Sequence, residues 1–237
     1  MPRVKQYQSA CGLRLTCSTL RRVRRLTVAF AVIAVGLAAA GCGGWDETGS
    51  GDPGCGDVDA PAPREAGSAA APAEALDAGE TWTLTFATSC GSFTVTLDLE
   101  SAPKTSASLV QLARDGYYDD TIFHRIAPGF VIQGGDPTQS GGGGPGYSTV
   151  DVPAADAAYV KGVVAMAKSA AEPPGTSGSQ FFVVTGADVG LPPEYAVVGE
   201  VTDGLEVVEL IGTLGDPATE QPTQPVVIET VTAASAS

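Results

Sequence analysis

Between Thr81 and Leu99 apolar residues fall on alternate positions. Trp82, Leu84 and Phe86 share one face of a first run, and Phe93, Val95, Leu97 and Leu99 share one face of a second. A period of two is that of a strand with one side buried, and Thr88-Ser89-Cys90-Gly91-Ser92 between the runs has the composition of a hairpin turn. The period then changes. Leu109, Leu112 and Ala113 recur at helical spacing, Ser101 is the expected N-cap, Pro103 suits the first turn and Gly116 the stop. Short β-rich runs follow at 121–126, 130–133, 162–167, 180–185, 196–201 and 226–231, with a second helix predicted over 205–211. Many short strands, glycine-rich connections and few helices predict an all-β domain over 80–237, a barrel or sandwich with two helices.

The first third of the chain follows another pattern. Arg21, Arg22, Arg24 and Arg25 precede an uncharged apolar stretch over 26–40, which ends in Ala39-Ala40-Gly41-Cys42. This is the layout of an export signal, and the stretch is short of the roughly 20 residues a membrane-spanning helix requires. Small residues running into a cysteine resemble a bacterial lipobox, so residues 1–41 are expected to be cleaved before Cys42 and Cys42 to carry the lipid. Residues 42–79 are rich in Gly, Ala, Pro, Asp and Glu, with Trp45 as the single aromatic. That composition buries too little apolar surface to offset chain entropy, and predicts a disordered tether.

Charge narrows the partners. Of 13 basic residues seven lie among the first 25 positions, and none of the 27 acidic ones precedes Asp46. A mature chain so acidic repels nucleic acid and anionic headgroups, which leaves polypeptides or small molecules, and a membrane reached through the lipid anchor alone. His124 is the one histidine, which argues against multi-histidine metal sites and a Ser-His-Asp triad. The five cysteines form no C-x-x-C pair, so neither a zinc ribbon nor a thioredoxin-like motif is present. Whether Cys55 and Cys90 pair outside the cytoplasm stays open. No cofactor is called for.

Phe123-His124-Arg125-Ile126 is followed by Phe130-Val131-Ile132-Gln133-Gly134-Gly135-Asp136-Pro137, then by Gly162–Ala167 and by Gly175-Thr176-Ser177-Gly178-Ser179-Gln180-Phe181-Phe182. In this order and approximate spacing the three segments, the first running from Phe123 to Pro137, resemble the signature of the cyclophilins, peptidyl-prolyl cis-trans isomerases, over about Thr81 to Ala233. The resemblance implies a closed eight-stranded antiparallel barrel capped by two α-helices, with a peptide groove on its outer surface. The local pattern does not supply the groove. In a regular strand Phe130 and Gln133 face opposite sides, and nothing nearby in sequence brings Arg125 to them.

The residue types suit such a reaction. An X–Pro bond differs little in energy between cis and trans, yet rotation faces a barrier of ~18–20 kcal/mol. No covalent bond breaks, so the catalyst has only to bind the twisted amide better than either planar form. The twisted prolyl nitrogen gains a lone pair to which a guanidinium can donate. The resemblance assigns that donor to Arg125 and groups it with Phe130 and Gln133 as catalytic, Gln133 bonding a substrate carbonyl. It implies that Phe182 and Leu191 line the proline pocket with Phe130, that Val131 stands where many relatives have methionine, and that Gln180 supports the groove. The backbone around Ala167 and Lys168 would pair with the peptide by strand addition. Phe181 is expected to face the core, and His124 to be structural. The glycines at 134–135 and 141–144 suit a tight loop under the groove and lack the Lys-Ser/Thr of a phosphate loop.

Two departures stand out. Many relatives place Trp or Phe just before the pocket leucine and His four residues after it, where this chain has Gly190 and Tyr195. Weak cyclosporin binding with less effect on turnover is the expected result, and Tyr195 still offers an apolar face and a hydroxyl. The connection Ser169–Gly175, with Pro173-Pro174, is about three residues longer than usual. The sequence thus reads as a monomeric isomerase acting on proline-containing polypeptides outside the cytoplasm, the alternative being a cyclophilin-like binding module without turnover.

Overall fold

The computed structural model describes residues 54–237; the expected signal peptide and Cys42 lie outside them. The alternating runs form the hairpin of β1 (Thr81–Thr88) and β2 (Gly91–Leu97). Their inward faces meet: Phe86 pairs with Phe93 across the ladder, rings stacked with centroids 4.8 Å apart. Helix α1 spans Pro103–Arg114 and ends as predicted, with Gly116 at φ +65° and the Tyr117 N–H bonded to the Leu112 carbonyl. Its start differs from expectation. The N-cap is Ala102, and Ser101 has its N–H on Asp98 Oδ1. The free helical N–H of Thr105 goes instead to Asp151 Oδ2 at 2.7 Å, a carboxylate 46 residues away that also takes the Thr105 hydroxyl.

The run at 121–126 is broken into β3 (Thr121–Ile122) and β4 (Arg125–Ala127). Next come β5 (Val131–Gly134), β6 (Thr149–Val150), β7 (Val163–Met166), β8 (Thr176–Ser177), β9 (Phe181–Val184), β10 (Val197–Asp203), α2 (Leu205–Gly212) and β11 (Val227–Ala236). Nine strands make one antiparallel sheet in the order β3-β11-β1-β2-β10-β7-β9-β5-β4, and β6 pairs with β8 apart from it. The sheet curls into a half-barrel, not the closed eight-stranded barrel expected. Its two outer strands, β3 and β4, are consecutive in sequence but unpaired. Phe123 between them bonds Val226 O, and the edge N–H of Ile126 is taken by Glu220 O at 2.8 Å from the loop after α2, so a loop covers the edge that a closing strand would occupy. Inside the curl Phe86, Phe93, Phe123, Phe181, Ile132 and Met166 pack with the apolar sides of both helices.

Residues 54–79, read from composition as tether, run along the domain as a strap. Cys55 forms a disulfide with Cys90 in the β1–β2 turn. Arg64 N bonds Pro137 O and its guanidinium bonds the Tyr117 and Asp119 carbonyls, Gly67 N bonds Gly144 O, and Ala69 N bonds Pro145 O. Hydrogen bonds to main-chain groups, the Arg64 guanidinium among the donors, and one covalent link hold the strap, with Leu76 its main apolar contact with the core. Composition, which registers apolar burial, does not report such anchors.

Candidate active site

Directly opposed residues of antiparallel neighbours point to the same face of a sheet. Register sets Arg125 (β4) opposite Gln133 (β5), Gln133 opposite Phe182 (β9), Phe182 opposite Ala165 (β7), and Ala165 opposite Val197 (β10). One row across five strands therefore carries a guanidinium, an amide, an aromatic ring and a small-residue floor on the outer face of the curl. Phe181, one position along, points inward among the core aromatics, as expected. Phe130 precedes β5 in a turn whose N–H bonds Ala127 O. Strand parity does not apply there, and its ring lies 5.7 Å from the Arg125 guanidinium carbon.

The polar half of the row is a chain of oriented donors. Gln180 Nε2 donates to the carbonyls of Gly141 and Gly143 at 3.0 and 2.9 Å. Its Oε1 then faces Gln133 Nε2 at 3.1 Å, and Gln133 Oε1 accepts from Arg125 Nη1 at 3.2 Å. This polarity leaves the second Gln133 N–H free for an incoming carbonyl. The glycine loop beneath is gathered by Asp136, whose carboxylate accepts from Thr138 N, Thr138 Oγ1, Gly141 N and Gly143 N. Burial works against that charge, but the Thr138 hydroxyl and the Gly143, Thr138 and Gly141 N–H groups outweigh it and hold Asp136 below the usual carboxylate range. A Cβ at position 143 would lie 2.0 Å from Asp136 Oδ1, so only glycine fits.

The apolar half is a small cluster separate from the core. Phe182, Val131, Ala165, Val184 and Tyr159 are buried in it; Phe130, Ala167, Leu191 and Tyr195 flank it. Tyr195 stands edge-on to Phe182 at 5.6 Å. The sequence reading missed Tyr159, whose hydroxyl donates to Tyr195 O at 2.7 Å and accepts from Tyr195 N at 3.0 Å, fixing that residue's backbone. An aromatic directly after the small residues of 153–158 was its only signal. Beside Leu191, Gly190 adopts φ +60° and a Cβ there would meet nothing within 4 Å, so this side of the pocket is open.

Ala167 and Lys168 border the groove. The Ala167 N–H is bonded to Gln180 O, which leaves its carbonyl for a peptide. The Lys168 side chain is only 2% exposed and turns away, its Nζ 3.0 Å from Glu194 Oε2 and over the Tyr195 ring. It also bonds Glu172 O, tying down the long 169–175 loop. Between that loop and the glycine loop lies a cleft of about 650 Å³ with Gln133 and Gln180 in its lining. His124 is set behind the site. Neither ring nitrogen has a hydrogen-bond partner among the described residues. Burial lowers its pKa; the Asp136 charge opposes this and the Arg125 charge adds to it.

Glu220 was also missed. Its Oε2 accepts from Arg125 Nε at 2.7 Å, so ion pair, Gln133 and Phe130 hold the guanidinium from three sides while a third of the side chain stays exposed.

Residues 83–233 match the family described as cyclophilin type peptidyl-prolyl cis-trans isomerase/CLD. The chain is 38% identical over 170 residues to a peptidyl-prolyl cis-trans isomerase A of Mycobacterium tuberculosis, covering 64% of this chain and 92% of that protein. It is 40% identical over 147 residues to a peptidyl-prolyl cis-trans isomerase-like 1 of Aspergillus oryzae, covering 60% and 89%. Its structure resembles that of a cyclophilin type peptidyl-prolyl cis-trans isomerase of Cryptosporidium parvum solved in the presence of the dipeptide Ala-Pro, with a TM-score of 0.60 and 30% identity over 65% of this chain and 99% of that one. With the family match spanning most of the described residues, and an arginine–glutamine–phenylalanine row laid along one sheet face, this chain belongs to the cyclophilin-type peptidyl-prolyl cis-trans isomerases.

Proposed function

We propose that the enzyme isomerises X–Pro bonds of exported polypeptides outside the cytoplasm, held to the membrane by a lipid on Cys42, and that Arg125 is the donor to the twisting prolyl nitrogen. The observation that carries the chemistry is the guanidinium, pinned by neighbours yet partly exposed, beside an apolar pocket open at Gly190. A proline ring settles against Phe130, Phe182 and Leu191, and the free Gln133 N–H takes a peptide carbonyl. As the amide leaves its plane the nitrogen pyramidalises toward Arg125. One charge-assisted hydrogen bond formed only in that state contributes ~1.5–3 kcal/mol, about ten- to hundredfold in rate. The missing aromatic wall at Gly190 argues for weak cyclosporin inhibition.

The export reading is supported by the basic and apolar N-terminal pattern ending at Cys42, and by the Cys55–Cys90 disulfide, a bond that persists in oxidising compartments. The polypeptide substrates and a monomeric state belong to the same proposal. A protease-coupled assay of the full chain on an Ala-Pro peptide tests the catalytic part. Wild type should accelerate isomerisation and Arg125→Ala should lose nearly all of it. Full activity in Arg125→Ala defeats the donor assignment, and no acceleration by wild type leaves a binding module. Membrane association that survives Cys42→Ala defeats the anchor.

A further inference from the structure

Glu220 lies in none of the family-like segments, yet the loop between α2 and β11 is built around it. Asp216 gathers that loop: its carboxylate accepts from Ala218 N, Thr219 N and Thr219 Oγ1, its carbonyl from Glu220 N at 2.7 Å, and its N–H bonds Gln221 O. Pro222 is bridged back to Gly215, and Thr223 N returns to Leu214 O. The loop is seated hard on β4, because a Cβ on Gly215 would stand 2.1 Å from Ile126 O. Closing it this way forces Glu220 to φ +57°, a left-handed backbone that a glutamate adopts only under constraint.

From that position one residue grips two consecutive residues of β4. The Glu220 carbonyl accepts from Ile126 N at 2.8 Å, and its carboxylate accepts from Arg125 Nε at 2.7 Å. A guanidinium has five N–H groups in a fixed fork. Glu220 occupies the one on Nε and Gln133 one on Nη1, so the plane is fixed and the remaining Nη hydrogens are the ones offered outward. With a single partner the group could still swing about it; two partners on different sides define its direction.

We infer that Glu220 is a positioning residue, which aims the Arg125 guanidinium at the prolyl nitrogen by holding Nε. The inference rests on the reading of Arg125 as the donor. It assigns the left-handed backbone a purpose: in that conformation the carbonyl and the carboxylate of one residue reach neighbouring residues of β4.

The left-handed backbone also supplies the test. Glycine is at ease at φ +57° and keeps the carbonyl that Ile126 uses, so Glu220→Gly removes the side chain with its carboxylate and relieves the backbone. The full chain is compared with its Glu220→Gly, Glu220→Gln and Arg125→Ala variants by NMR exchange on an Ala-Pro peptide over a concentration series up to saturation, with melting temperatures alongside. Glu220→Gly should lower kcat by about tenfold with KM unchanged, while its melting temperature holds or rises. Glu220→Gln, which keeps an acceptor oxygen, should recover activity to within about threefold of wild type. Adding Glu220→Gly to Arg125→Ala should cost nothing more. Wild-type kcat in Glu220→Gly, a rise in KM alone, or activity and melting temperature falling together overturns the inference. An active Arg125→Ala would instead show that the donor assignment itself has failed.

Discussion

Gln133 stands opposite Arg125 in the β4–β5 register and accepts a hydrogen bond from its Nη1 at 3.2 Å, while its own amide N–H group is held by Gln180. The amide thus transmits the order of the glycine loop to the guanidinium. Gln133→Ala removes both this acceptor and the donor left for the peptide, and should lower kcat/KM by roughly tenfold or more. Gln133→Glu keeps the acceptor for Arg125 but presents a carboxylate to the peptide carbonyl and to Gln180 Oε1, so it should be no better than alanine. Parallel peptide assays with circular dichroism to confirm the fold check both outcomes.

Cys55 and Cys90 close a loop of sequence separation 35. Loop-closure entropy gives such a cross-link about 3–4 kcal/mol of stability. The double variant Cys55→Ser, Cys90→Ser should therefore lose about that much unfolding free energy, read as a lower urea midpoint, and reductant should shift wild type the same way. Urea titrations with and without reductant measure it.

Two groups near the site contribute to the acid side of the stability curve with the same sign, alongside Asp216, which its loop hydrogen bonds also depress. His124 has a pKa lowered in the folded state, so the unfolded chain binds more protons below the ordinary histidine range. The stability it contributes is complete above about pH 6.5 and declines as pH falls below it. Asp136 is also depressed, so its contribution is complete above the ordinary carboxylate value and is lost as pH falls below about 4 toward its lower folded value. Unfolding free energy should rise in two steps between pH 3 and 7. His124→Phe, which leaves no buried nitrogens, should abolish the upper step alone; a curve with that step retained refutes the attribution.

Much of the fold was legible where burial leaves a period. The β1–β2 alternation, the Gly116 helix stop and the inward and outward turns of Phe181 and Phe182 all follow from side chains choosing between core and outer surface. What stayed hidden depends on contacts distant in sequence. Asp151 caps α1 from 46 residues away, and Glu220 reaches Arg125 across 95. The three family-like segments named Arg125, Phe130, Gln133 and Phe182, but only strand register explains why the arginine, the glutamine and Phe182 share one face. The closed barrel failed for a similar reason: nothing local in the sequence says that a loop covers the edge of β4. Tyr159 was overlooked because its partners are the backbone atoms of Tyr195, which leave no mark on residue type.

The strap joins the domain at the β1–β2 turn by a covalent bond, and the segment from Gly56 to Ala70 lies downstream of that bond. Tension applied to the chain ahead of residue 54 is carried through the sulfur atoms into the hairpin. It bypasses the hydrogen bonds that Gly67 and Ala69 make to Gly144 and Pro145. The groove is thereby mechanically insulated from whatever pulls on the N-terminal side, and keeps its shape under that load.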